Sequence, residues 1–246
     1  MDRASPLNGL TVLVTGAGRG IGRACALSSA QAGARVVAVA RTRRDLDDLK
    51  EEAGPRLETR QADVTEQAFW RELESNSNID VLVNNAGTNR LQAIDEVDDA
   101  TLDLLLMLNV RSAFKTSQAV ARSMIARRRG GAIIHISSQM GHVGAAKRSV
   151  YCMTKHAIEG LTKAMAIELA AHDIRVNAVA PTIVETSMTA PFLQDASYRQ
   201  FAMDTIPLKR VAEPQDVAEA VVYLASPAAR LVTGTSLKVD GGATAQ

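Results

Sequence analysis

Leu10-Thr11-Val12-Leu13-Val14-Thr15-Gly16-Ala17-Gly18-Arg19-Gly20-Ile21-Gly22 is an apolar run that breaks into alternating glycines. Leu10–Val14 reads as a buried parallel strand, and the Ala-rich segment that ends near Gly33 reads as a helix. Strand, glycine turn and helix, in that order, present backbone N–H groups and a helix N-terminus to a phosphate. The spacing Gly16-x3-Gly20-x-Gly22 differs from the G-x-G-x-x-G of the usual dinucleotide turn. It meets the same needs, which are close backbone approach to a pyrophosphate and close packing of the helix. A merely structural turn is the competing reading, and glycines at 16, 18, 20 and 22 count against it.

Outward from this unit the alternation continues. Strands are predicted at Arg35–Ala40, Leu57–Ala62, Ile79–Val83, Ala132–Ile136, Ile174–Val179 and Thr235–Val239. Between them lie helical patterns at Asp45–Ala53, Glu66–Ser75, Asp98–Ala126, Tyr151–Ala170 and Asp216–Leu224. Such alternation predicts an α/β fold, a doubly wound, mainly parallel sheet with helices on both faces and right-handed crossovers. No linker, repeat or low-complexity tract interrupts residues 1–246, so one domain is expected. The stretch of about 183–206, with Met188, Phe192, Leu193 and Phe201, reads as a substrate lid beyond a strand end.

A formal net charge of +1 and an aromatic share of 3% offer no case for nucleic acid or an acidic membrane. Cys25 and Cys152 make no metal or redox spacing and read as buried thiols in a reducing compartment. No metal site is expected. Met1-Asp2-Arg3-Ala4-Ser5-Pro6 lacks the apolar core of a leader, and no apolar run nears the roughly 20 residues that span a bilayer. A cytoplasmic protein is the expectation.

In parallel sheets ligands gather outside the carboxyl ends of the strands. Gly16, Arg41, Asp63, Asn85, Ser138 and Pro181 each fall just after one of the first six strands. Where NAD-binding units carry an acid for the ribose 2′-OH, this chain has Ala40 followed by Arg41. Arg41, with Arg19 from the glycine turn, suits a 2′-phosphate and hence NADP(H) over NAD(H), although a solvated basic loop accounts for Arg43 and Arg44. Asn84-Asn85-Ala86-Gly87 is explicable alone as a turn, and Asn109 as a kink with a satisfied amide. Tyr151 and Lys155 stand four apart on one helix face, by chance or because an ammonium there lowers the phenol pKa. Ser138 would then hold a substrate oxygen against that phenol. His135 reads as a core or edge histidine, while His142 is expected to be free to face a ligand.

Taken together, Thr15–Gly22, Asp63-Val64, Asn84–Gly87, Asn109-Val110, Ser138, Tyr151-x-x-x-Lys155 and Pro181-Thr182 resemble the short-chain dehydrogenase/reductase family over essentially the whole chain. The resemblance implies a Rossmann-type sheet of seven strands and a catalytic tetrad of Asn109, Ser138, Tyr151 and Lys155. It implies that Gly16, Arg19, Gly20, Ile21 and Gly22 cradle the dinucleotide, with Asp63 and Val64 by the adenine. Asn85, Ala86 and Gly87 would line the ribose, and Pro181, Val184 and Thr186 the nicotinamide, which Tyr151 and Lys155 also approach. Arg41-Thr42 resembles the NADP-preferring branch. Thr182 departs from the glycine usual there, which points to a narrower or more polar pocket.

The function implied is NADP(H)-dependent interconversion of a ketone and a secondary alcohol, with Tyr151 as general acid/base. Within the family, Ser138-Gln139, Val150-Tyr151-Cys152 and Pro181-Thr182 look most like L-xylulose and dicarbonyl reductases. Gln139, His142, Arg148, Thr182 and Met188 are the expected contacts of a small sugar or dicarbonyl. One alternative is a 3-oxoacyl-(acyl carrier protein) reductase, for which Arg129 is suitably placed while His172 replaces a second arginine. A more remote one is a cofactor-binding regulator without turnover. Leucines 102, 105, 106 and 108 cover more surface than one sheet contact needs, so a homotetramer is expected.

Overall fold

The structure, a computed structural model, describes residues 5–75 and 78–245 in full and Asn76 by its backbone alone. Met1–Ala4, part of the leader reading, lie outside the described residues. The strands are β1 (Thr11–Thr15), β2 (Arg35–Ala40), β3 (Leu57–Gln61), β4 (Val81–Asn84), β5 (Gly131–Ile136), β6 (Ile174–Pro181) and β7 (Ser236–Val239). They form one sheet in the order β3-β2-β1-β4-β5-β6-β7. Every pairing is parallel, so the expected Rossmann-type class holds without the antiparallel edge that "mainly parallel" allowed. The helices are α1 (Gly20–Gln31), α2 (Arg43–Ala53), α3 (Gln67–Asn76), α4 (Asp99–Leu105), α5 (Ser112–Arg127), α6 (Ser149–Leu169), α7 (Ala190–Leu193), α8 (Ala196–Thr205) and α9 (Pro214–Ala225).

Strand periodicity explains the layering. Val12 and Val14 point into an apolar layer shared with α1 and α9, while Leu13 between them points into a second layer with α3, α5 and α6. Strands buried on both faces therefore read as unbroken apolar runs. β1 and β4 are neighbours from which the chain winds outward in opposite directions. The crevice at their carboxyl ends is where such sheets bind ligands.

Two elements differ from the sequence expectation. The single helix over Asp98–Ala126 is α4, a π-helical stretch at Leu106–Arg111, and α5. Asn109 sits in the widened turn because its amide is taken up by another segment: Oδ1 accepts from Thr88 N at 2.8 Å and Nδ2 donates to Thr88 O at 2.9 Å. The stretch after β6 is largely helical, since Asp195 caps α8 by accepting from Ser197 N and Tyr198 N at 2.8 and 3.1 Å. A bridge between Val184 and Ala212 closes its base. Among the described residues no helix is long and apolar enough to cross a membrane.

Candidate active site

The glycine turn is locked to the end of β4. Thr15 Oγ1 accepts from Asn85 N and Ala86 N at 3.0 and 3.1 Å, and Asn85 Nδ2 donates to Thr15 O and Gly16 O. A Cβ on Gly22 would lie 2.2 Å from Gly16 O, and Gly16 itself has φ +66°, so neither position tolerates another residue. No side chain caps the start of α1, and its first turn holds no acid. The leading N–H groups at Gly20, Ile21 and Gly22 are thus left for an external anion, and the cradle fits a pyrophosphate. Thr186 packs over Gly20, with its methyl 3.1 Å from where a Cβ would stand. Val184 beside it is buried.

At the adenosine end β2 finishes on Ala40 with no carboxylate, as expected, and Arg41 is largely exposed with a loose 3.9 Å approach to Asp63. Thr42 leads into α2. Asp63 Oδ1 accepts from Thr65 N and Oγ1, and Val64 is buried. Of the two guanidiniums expected at one locus, one already has a carboxylate partner. Arg19 is held by Asp45, Nε to Oδ2 at 2.7 Å and Nη2 to Oδ1 at 3.1 Å. Asp45 favours the first turn of α2, where a carboxylate meets the positive end of the helix. That position was the signal the sequence offered.

At the far side of the crevice Ser138 ends the β5 run in extended conformation, its Oγ accepting from Met140 N at 3.1 Å. The hydroxyl proton is left for the Tyr151 oxygen. Tyr151 lies in the first turn of α6, and burial pushes its phenol above the usual value. A hydrogen bond with Ser138 and the charge of Arg148 pull the other way. Lys155, expected to acidify the phenol, is not among these influences. Its Nζ donates to Ile136 O at 2.8 Å and stands 5.6 Å from the Tyr151 ring centroid. Burial lowers its own pKa to about 8, with Glu159 opposing. Asn109 Nδ2 reaches Thr154 Oγ1 at 3.2 Å, which ties the π-turn to α6. Pro181 ends β6, Gly87 backs onto Asn109, and Thr182 N donates to Val239 O.

Of the expected substrate contacts, Gln139 and Arg148 flank Ser138 and Tyr151 in sequence, and Met188 is exposed in the stretch after β6. His142 is not free to face a ligand. Its Nε2 lies 3.0 Å from Ser236 Oγ and 3.3 Å from Glu159 Oε1, toward the amino end of β7. Thr15, Asp45, Thr88, Thr154 and Glu159 were given no role from sequence, because single polar residues inside strands and helices, or in the loop that holds Thr88, carry no pattern.

A phosphate cradle at the switch point of a parallel sheet, with a serine, tyrosine and lysine across the crevice, defines a nicotinamide-dependent oxidoreductase. The chain belongs to the short-chain dehydrogenase/reductase family. The family pattern described as enoyl-(acyl carrier protein) reductase matches residues 16–244. Among its relatives, the L-xylulose reductase of Mesocricetus auratus is 46% identical over 96% of this chain and 97% of its own. The D-erythrulose reductase of Gallus gallus is 40% identical over 98% of each. The gluconate 5-dehydrogenase of Burkholderia cenocepacia, solved in complex with NADP and tartrate, superposes with a TM-score of 0.91 at 33% identity, covering 99% of this chain and 98% of that one.

Proposed function

We propose that the protein reduces small polar ketones, above all hydroxyketones of the sugar and polyol class and dicarbonyls, with NADPH. The observation that carries this reading is the convergence of Ser138, Tyr151 and Lys155 opposite an uncapped α1 N-terminus. The names of the xylulose and erythrulose reductases support the substrate class. NADPH supplies the hydride that reaches the carbonyl carbon. Ser138 turns its hydroxyl proton from the Tyr151 oxygen to the carbonyl oxygen, and Tyr151 gives its proton as negative charge develops there. Lys155 Nζ, which spends one proton on Ile136 O, bonds the nicotinamide ribose with another. Since Asn109 spends its amide on Thr88 and Thr154, its main chain is left to hold a proton-relaying water. Arg41 receives the 2′-phosphate, and Arg19 joins it by exchanging Asp45 for that anion.

The whole chain acts as one dinucleotide-binding and catalytic unit, with residues 183–206 closing over the substrate. The free thiols of Cys25 and Cys152 support a cytoplasmic setting. The working form is a homotetramer built on α4–α6. Leu104, Leu106 and Phe114 are exposed there, on a groove of about 1110 Å³. A monomer in light scattering would refute this.

The reading is tested by NADPH consumption across sugars, diketones and 3-oxoacyl thioesters. Hydroxyketones or diketones should give the highest kcat/KM, with NADPH preferred to NADH. Arg41→Ala should narrow that preference roughly tenfold, the worth of one charge-assisted hydrogen bond. Thioesters in the lead would favour the carrier-protein reductase, and tight NADPH binding without turnover would favour a regulator.

A further inference from the structure

Glu159 lies one helical turn beyond Lys155 on α6 and is 6% exposed. A buried carboxylate costs stability that an apolar residue of similar size would not, so its presence calls for a reason. Its Oε1 accepts from Ser236 Oγ at 3.0 Å and lies 3.3 Å from His142 Nε2. A Cβ on Gly141 would come within 3.0 Å of Glu159 Cγ and 3.1 Å of Lys155 O. The turn that follows Ser138 therefore rests directly on this part of the helix.

We propose that Glu159 is a positioning residue of the reaction, acting through Lys155. Its carboxylate keeps the lysine in the ammonium form, while its contacts with His142 and Ser236 fix the turn that begins at Ser138. The inference rests on the reductase reading above.

The surrounding charges leave this task to Glu159. Burial drives the Lys155 pKa down, and the Glu159 charge opposes that drop. From β5, His135 is buried and neutral, its pKa near 4. The π-turn presents the uncharged amide of Asn109. On β6, Arg175 turns to donate to Leu224 O, and on β7 Lys238 is exposed. His142 faces Glu159 itself, and Tyr151 is the partner of the lysine on its own helix.

The test is the pH profile of kcat for ketone reduction. Its alkaline limb reports loss of the first proton from the Tyr151–Lys155 pair. Removing a nearby negative charge loosens that proton, so Glu159→Gln should move the limb to lower pH by about one unit. The acid-side plateau should fall as well, because the amide weakens the contacts with His142 and Ser236 that fix the turn at Ser138. Glu159→Asp, which keeps the charge, should leave the limb in place. Glu159→Met carries the same expectation as the amide and covers the case in which the amide does not fold. A plateau that falls at every pH with the limb unmoved would overturn the proposal and leave a purely structural glutamate. Absence of turnover in the unaltered protein would instead sink the reductase reading, so the two failures are distinguishable.

Discussion

The two faces of β5 lead to different interiors. Ala132, Ile134 and Ile136 point into the layer of α1 and α9, where they meet apolar neighbours. On the other face Ile133 joins the layer of α3, α5 and α6, but His135, nearer the carboxyl end, meets polar groups. His135 Nδ1 lies 3.3 Å from Asn84 Nδ2, which also donates to Ser117 Oγ at 2.8 Å. Thr154, Lys155, Glu159 and Asn109 complete this polar floor beneath the candidate site. One face serves cohesion. The other gives up apolar burial to hold ionisable and hydrogen-bonding groups.

The largest effect that would sharpen this contrast is Tyr151→Phe. The change removes one hydroxyl and leaves the apolar face untouched. Turnover should fall about 10³-fold, the scale of a lost general acid. NADPH affinity and thermal unfolding should stay close to those of the unaltered protein, by fluorescence titration and calorimetry. Retained turnover would take Tyr151 out of the chemistry and leave the polar floor without a purpose.

The apolar face was legible in the sequence because burial on both sides of a parallel strand leaves a run of Val, Leu and Ile. Leu10–Val14 and Ala132–Ile136 carried that signal, and their bounds are off by only a residue. The polar floor was legible only at its rim. Ser138 and Tyr151-x-x-x-Lys155 sit at strand ends and helix starts, where spacing and neighbours give them meaning. Thr154, Glu159 and His135 sit inside regular elements, and what they do depends on partners dozens of residues away. Glu159 meets Ser236 across 77 residues, and Asn84 meets His135 across 51. Pro214 and the Glu213–Asp216 capping box fixed the start of α9 two residues earlier than the apolar pattern alone suggested. His142 misled for the same reason, because a loop position says nothing about which way a ring turns.

A smaller effect separates the faces by pH. Burial, helped by the Lys155 charge, lowers the His135 pKa to about 4, against roughly 6.5 for a free imidazole. The Asn84 amide reinforces this, since its N–H group needs an unprotonated Nδ1 to accept. The folded value is the depressed one, so the unfolded chain takes up the proton first as pH falls. Stability that is complete above about pH 6.5 should thus drain away down to about pH 4, by about 3 kcal/mol from this group. His135→Gln should flatten that part of the pH dependence in denaturant titrations. Ile134→Ala, one residue away on the opposite face, should cost about 2–5 kcal/mol, and the same amount at pH 5 as at pH 8. Were the cost of Ile134→Ala to change with pH and His135→Gln to leave the acid sensitivity intact, the two faces would not be energetically distinct, because only the face that carries an ionisable ring can tie its cohesion to the proton.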